Sequence, residues 1–281
     1  MMNNRIVVTV LCALVMAGCS TVSVNRAIGV SATGKAYVET LKKVNDLALD
    51  TSIEFTANLL PALPRTEESL AAPTEDIRKR SLLIGDAHEY LNGLASYFSE
   101  LEALANADQS EATSKALEQV AESLKAEPIE LKLSDEKKKA MTGLAGFVAK
   151  QIHAAAVENA LVRDADTIAQ ALAISEKMLD EQIRWVNLRE NAERKKKYND
   201  NVKKPFVAGG PLDPDWKKAW SSEVRTPPVI ALLSEAKKAS EEMQKAWIDI
   251  LRGQHSFTEI QSSLKNVQAG IEAITALKDA K

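Results

Sequence analysis

Cysteine is nearly absent from this chain: two occur in 281 residues, Cys12 and Cys19. Both sit within the first twenty positions, so the rest of the chain has no thiol with which to build a disulfide. Packing alone must hold that body together. Aromatics make up only 5% of the residues. Ala, Leu, Glu and Lys abound, and few β-branched runs occur, which predicts an all-α protein. Charge of one sign is also lacking. A net charge of −3 is too small to point to nucleic acid. No segment beyond the first twenty residues is apolar enough to cross a bilayer as a helix.

Catalytic and metal-binding patterns are missing too. His88 precedes Glu89, but the fourth residue after His88 is Asn92, so the H-E-x-x-H zinc motif fails. A di-iron bundle places Glu three residues before each His. Here those positions hold Gly85, Lys150 and Arg252. Ser234 to Lys237 and Ser262 to Lys265 match S-x-x-K, without the S-D-N and K-T-G elements that would make it chemistry. Gly34-Lys35 lacks the earlier glycine and following hydroxyl of a phosphate loop. The expectation is a non-enzyme with no cofactor and no metal.

What the chain does have begins at its N-terminus. Arg5 precedes an apolar run from Ile6 to Met16, broken only by Thr9. That length suits a signal-peptide core and is too short for a stable span. The run closes on Leu14-Val15-Met16-Ala17-Gly18-Cys19. This stretch resembles the lipobox of bacterial lipoproteins. The resemblance covers about the first twenty residues. It implies cleavage between Gly18 and Cys19, lipid on Cys19, and palmitate-like chains that hold the protein to a membrane. Each buried methylene adds about 0.8 kcal/mol, so two or three chains anchor firmly. Ser20 stands where Asp would resemble an inner-membrane retention signal. In a two-membrane host the resemblance therefore favours the outer membrane, facing the periplasm. The expected organisation is a signal peptide over 1–18, a lipidated tether over 19–33, and a helical domain over 34–281, with a possible subdivision near 126–134.

Periodicity predicts the helices of that domain. Tyr37, Leu41, Val44, Ala48, Thr51 and Phe55 line one face of a first helix that Pro61 and Pro64 end. After a loop from Arg65 to Pro73, a second helix begins near Thr74 with a stripe through Ile84, Leu91, Leu94, Phe98 and Leu101. A third covers Glu111 to Lys125. Alternation at Ile129, Leu131 and Leu133 predicts an extended connector. Ser134 reads as the N-cap of a fourth helix reaching Val162, and Asp164 as the cap of a fifth. Past Leu188 the fifth helix turns highly charged, which predicts a solvated arm. Pro205 to Pro214 breaks the chain around Gly209-Gly210-Pro211. A short helix from Asp215, a helix from Pro227-Pro228 to Arg252, and a last helix capped by Ser256 complete the chain. The predicted architecture is an elongated antiparallel bundle of long amphipathic helices.

One constellation stands out as a binding feature. Trp216 and Trp220 lie four apart on the short helix, with Lys217 and Lys218 between them. Exposed, they would anchor a protein groove, a glycan strand or lipid headgroups; buried, they would pin the short helix to the bundle. The Arg194 to Lys197 run could likewise touch anionic lipid or stand as a solvated face. The functional expectation is a membrane-anchored, non-catalytic protein-binding or scaffold module with an envelope protein partner, an inhibitor or immunity protein included. A cell-wall enzyme or a helical membrane-remodelling or pore-forming protein is the alternative.

Overall fold

A computed structural model describes residues 3–107, 110–125, 132–144, 155–224 and 228–252, with isolated positions 265, 269, 272, 273 and 276. Its elements are α1 (Asn3–Leu59), a 3-10 turn (Leu60–Ala62), α2 (Glu67–Ala107), α3 (Ser110–Lys125), α4 (Asp135–Ala140), α5 (Ala155–Lys197), a π segment (Tyr198–Lys203), α6 (Lys204–Val207), α7 (Pro214–Glu223) and α8 (Pro228–Arg252). The protein is all-α, and no strand occurs among the described residues. The connector alternation at 129 and 131, the capping box at 256–259 and most of the last helix lie outside the described residues.

The apolar stripes close on one another as the periodicity requires. Tyr37, Leu41 and Val44 of α1 meet Leu91, Leu94 and Phe98 of α2, Ile168, Leu172 and Leu179 of α5, and Leu233, Met243 and Trp247 of α8 in one core. Cross-helix contacts fix the directions. Lys42 donates to Asn92 across α1 and α2 at 2.9 Å, and His88 reaches Asp46 at 3.2 Å, so these two run antiparallel. Asn45 pairs with Gln182 at 2.6 Å and Asn58 with Glu193 at 3.2 Å, so α1 and α5 run parallel. Trp247 meets Ala165 while Lys237 meets Asp180, so α8 returns antiparallel to α5. The parallel pair α1 and α5 is separated in sequence by α2, α3 and the segment around α4.

Four boundaries depart from expectation. Residues 24–33, expected as part of a tether, continue α1, and Ala27, Val30, Ser31 and Thr33 are buried. Their small side chains let neighbouring helices approach closely, so polarity here reflects packing and not solvation. Second, α2 starts at Glu67 and not near Thr74, because Thr66 caps it: the Ser69 N–H donates to Thr66 Oγ1 at 3.2 Å. Glu67 and Glu68 then oppose the positive helix end. Pro73 is carried inside that helix. Third, Ser134 does cap α4, accepting from the Lys137 N–H at 3.3 Å, but α4 ends at Ala140. Gly143 adopts φ 77°, a left-handed value that only glycine takes without strain. The Asp166 carboxylate accepts the Gly143 and Leu144 N–H groups at 2.8 and 2.7 Å, clamping the turn onto α5. Fourth, Asp164 caps nothing. It lies inside α5, fully buried, and pairs with Arg163.

A file of polar groups runs through the core. The Tyr37 and Ser240 hydroxyls are 2.5 Å apart, and Tyr90 donates to the Ala171 carbonyl beside Ser175. Burial pushes the Tyr37 phenol far above its usual range, with Ser240 and Ser175 opposing. Satisfied pairs of this kind avoid the penalty of a buried lone hydroxyl and fix helix register.

Candidate functional hairpin

The segment expected as a solvated arm is the root of a helical hairpin. Glu190 and Glu193 are buried there, which corrects the expectation that no face of this stretch could be covered. Asn58 at the end of α1 reaches Glu193, and Arg194 bridges Glu190 at 3.3 Å and Glu223 of α7 at 3.5 Å. Lys195, Lys196 and Lys197 stay exposed, as a solvated face requires.

Pro205 shapes the next turns of the chain. It has no N–H to give the preceding turn. The backbone ahead of it widens into the π segment, where the Lys204 N–H donates to the Asn199 carbonyl five residues back. Such π segments relieve a local conflict in the hydrogen-bond ladder. Gly209, at φ 70°, closes α6 and reverses the chain. Asp213 caps α7 by accepting from the Asp215 N–H at 2.8 Å, and Pro214 fits the first helical position.

Trp216 and Trp220 take different roles. Trp216 is half-buried. Its Nε1 donates to the Val202 carbonyl at 3.0 Å, and its ring stacks on Phe206 at 5.6 Å. It therefore pins α7 to the π segment. Trp220 is 44% exposed, and Lys217 and Lys218 flank it in solvent. The covered face of α7 runs through Trp216, Ala219 and Glu223, which meets Arg194, and Trp220 lies to one side of that line and faces outward. Tyr198, Phe206, Val207, Leu212 and Val224 are also exposed, Val207 at 73%. Between residues 195 and 224 there are seven lysines, no arginine and four carboxylates. The hairpin is thus net positive in a chain that is net −3. Its exposed surface combines apolar contact area with long-stemmed cations, which suits adhesion to an amphipathic, anionic surface.

Sequence reasoning singled out the tryptophans but missed Phe206, Val207 and Leu212. They sit among breaker residues with no period, so only the folded hairpin shows them together. It also missed Trp185, over which the Arg80 guanidinium lies at 4.4 Å. Arg80 and Trp185 line a cleft with Gln182, Ser52 and Ile84 between α1, α2 and α5. Gly18 and Cys19 fall on the α1 backbone, with their side chains outside the described residues. His153 and His255 are likewise outside, while His88 meets Asp46 on the surface of α1 and α2.

The hairpin root carries a pH signature. Burial raises the Glu190 carboxyl above the usual range; Arg194 opposes this, and Glu223 and Glu193 add to it. The folded chain then holds this proton more tightly than the unfolded chain. Its stabilising effect is full in acid and is lost as pH rises from the ordinary carboxylate range through the raised value. Glu190→Gln is expected to raise the melting temperature at pH 7.5 and to flatten its fall between pH 4 and pH 7.5. Thermal melts followed by circular dichroism measure both. A lower melting temperature at pH 7.5 would show that the Arg194 bridge outweighs the burial cost.

No protein-family model, curated protein or solved structure matches the chain.

Proposed function

We propose that this chain is a lipid-anchored, non-catalytic scaffold of the bacterial envelope. Lipid on Cys19 holds one end to a membrane, and the bundle carries the hairpin of residues 195–224 to another component of the envelope. The observation that carries this reading is the exposed, basic and apolar hairpin at the end of α5, far from Cys19. Because α1 and α5 run parallel, Asn58 lies level with Glu193. Asn58 lies thirty-nine residue steps along α1 from Cys19, or roughly 60 Å at 1.5 Å per residue. A rigid bundle of that length serves to place a contact surface away from its anchor.

Membrane fractionation tests the anchor. The wild type is expected in the membrane fraction and to take up radiolabelled palmitate. Cys19→Ala is expected either to appear in the soluble fraction or to persist as a larger, unlabelled precursor. A Cys19→Ala protein of wild-type size and wild-type membrane association would overturn the lipoprotein reading.

A further inference from the structure

We infer that the hairpin docks on an anionic lipid bilayer, and that it does so on the side of the bundle facing away from Cys19. The direction rests on the scaffold reading above. The docking rests on the hairpin alone.

Three observations favour a bilayer over a protein groove. The first is the cation type. All seven basic residues of 195–224 are lysine, and protein interfaces are depleted in lysine and enriched in arginine. Arginine stands only at the two borders of the segment, Arg194 and Arg225, and Arg194 is engaged with Glu190 and Glu223 at the hairpin root. Lysines beside a membrane keep their ammonium groups at the headgroups while their stems lie along apolar surface. The second is the composition of the exposed apolar set. Val207 and Leu212 flank the reversing loop and are exposed together with Phe206 and Trp220. Aliphatic side chains at a turn have no stacking role on a glycan, but they enter an acyl region, and Trp seats at its boundary. The third is charge complementarity. The hairpin is positive while the rest of the chain is acidic, so an anionic surface attracts this end and repels the remainder.

The geometry gives the direction. From the level of Asn58 and Glu193, α5, the π segment and α6 continue to Val207. That adds about 20 Å to the ~60 Å from Cys19. If lipid holds Cys19, the hairpin stands well clear of that bilayer and meets a second one.

The test uses two forms of the protein. The soluble chain from Ser20 onward is mixed with vesicles of phosphatidylcholine, with or without 30% phosphatidylglycerol, and sedimented. Binding is expected to the anionic vesicles, weakly to the neutral ones, and to fall steeply in 0.5 M NaCl. Each lysine near an anionic surface strengthens binding about five-fold, so Lys203→Gln, Lys217→Gln and Lys218→Gln together should weaken it by on the order of 100-fold. Val207→Asp with Leu212→Asp should abolish it. Both side chains are exposed, so circular dichroism and the melting temperature should match wild type.

Absence of binding to anionic vesicles would overturn the proposal, as would wild-type binding by the double Asp variant. So would a chain that ignores every vesicle while hairpin substitutions still abolish capture of an envelope protein; the surface would then dock protein. The lipidated chain, reconstituted in phosphatidylcholine vesicles, is expected to cluster added phosphatidylglycerol vesicles, read by light scattering. Soluble-chain docking without such clustering would sink the scaffold geometry and leave the docking surface intact.

Discussion

Trp247→Ala is expected to lower stability by about 4 kcal/mol, in the range seen when a buried large aromatic is removed. Trp247 is fully buried on α8. It packs edge-on against Tyr97 at 6.1 Å and Phe98 at 6.4 Å, both on α2. Its Nε1 donates to the Ala165 carbonyl of α5 at 3.1 Å. One side chain therefore joins three helices by area, ring geometry and a hydrogen bond. Removal leaves a cavity among rigid rings that cannot collapse into it, and orphans part of the Tyr97 environment. That environment is already demanding: burial, with the Asp164 carboxylate nearby, holds the Tyr97 phenol well above its usual range. In a chain of this size the loss corresponds to a fall in melting temperature of about 10 °C. Trp247→Phe keeps most of the apolar contact and loses the hydrogen bond, so it should cost about 1–2 kcal/mol. Chemical denaturation measures both. An alanine variant within about 1 kcal/mol of wild type would show that α8 is not a working part of the core.

Gly34→Val is expected to be nearly as damaging, for the opposite reason. A Cβ at Gly34 would sit 2.7 to 2.8 Å from three ring carbons of Phe98. That ring is fully buried and held by Tyr97 and Trp247, so it has nowhere to go. Overpacking of this kind costs about 1–3 kcal/mol for modest additions, and Val adds two methyl groups to the clash. The helix-propensity gain on leaving glycine, about 0.5 kcal/mol for Val, offsets little of it. A loss of about 3 kcal/mol is expected from urea melts, with Gly34→Ala intermediate. If Gly34→Ala stabilised the chain, α1 and α2 would have to be able to separate at this level without loss.

These residues show where the sequence speaks and where it stops. The stripe through Leu91, Leu94 and Phe98 announces the buried face of α2, because side chains three and four apart must share a side. The ends of α1, α7 and α8 are equally legible, since Pro61, Pro214 and Pro228 act locally. Gly34 was not legible. In the sequence it resembles the edge of a tether, and only the Phe98 ring of another helix shows it to be a contact point. Asp164 has the same ambiguity: an acidic residue before an apolar stripe suits a cap, and only the pairing with Arg163 inside α5 reveals a buried charge.

The hairpin divides in the same way. Its breakers, its lysines and both tryptophans are visible along the chain, and with them the expectation of a short separate helix. Which tryptophan faces water is not, because that depends on which side of α7 packs on the hairpin root through Trp216 and Glu223. Local chemistry by itself determined the all-α class, the main apolar faces, the proline and glycine stops, and the lipobox resemblance at Cys19. Tertiary packing alone decided the parallel course of α1 and α5, the burial of Glu190 and Glu193 beside Arg194, and the outward turn of Trp220. Periodicity fixes which side of a helix is buried, whereas direction, distance and exposure depend on residues far away in the chain.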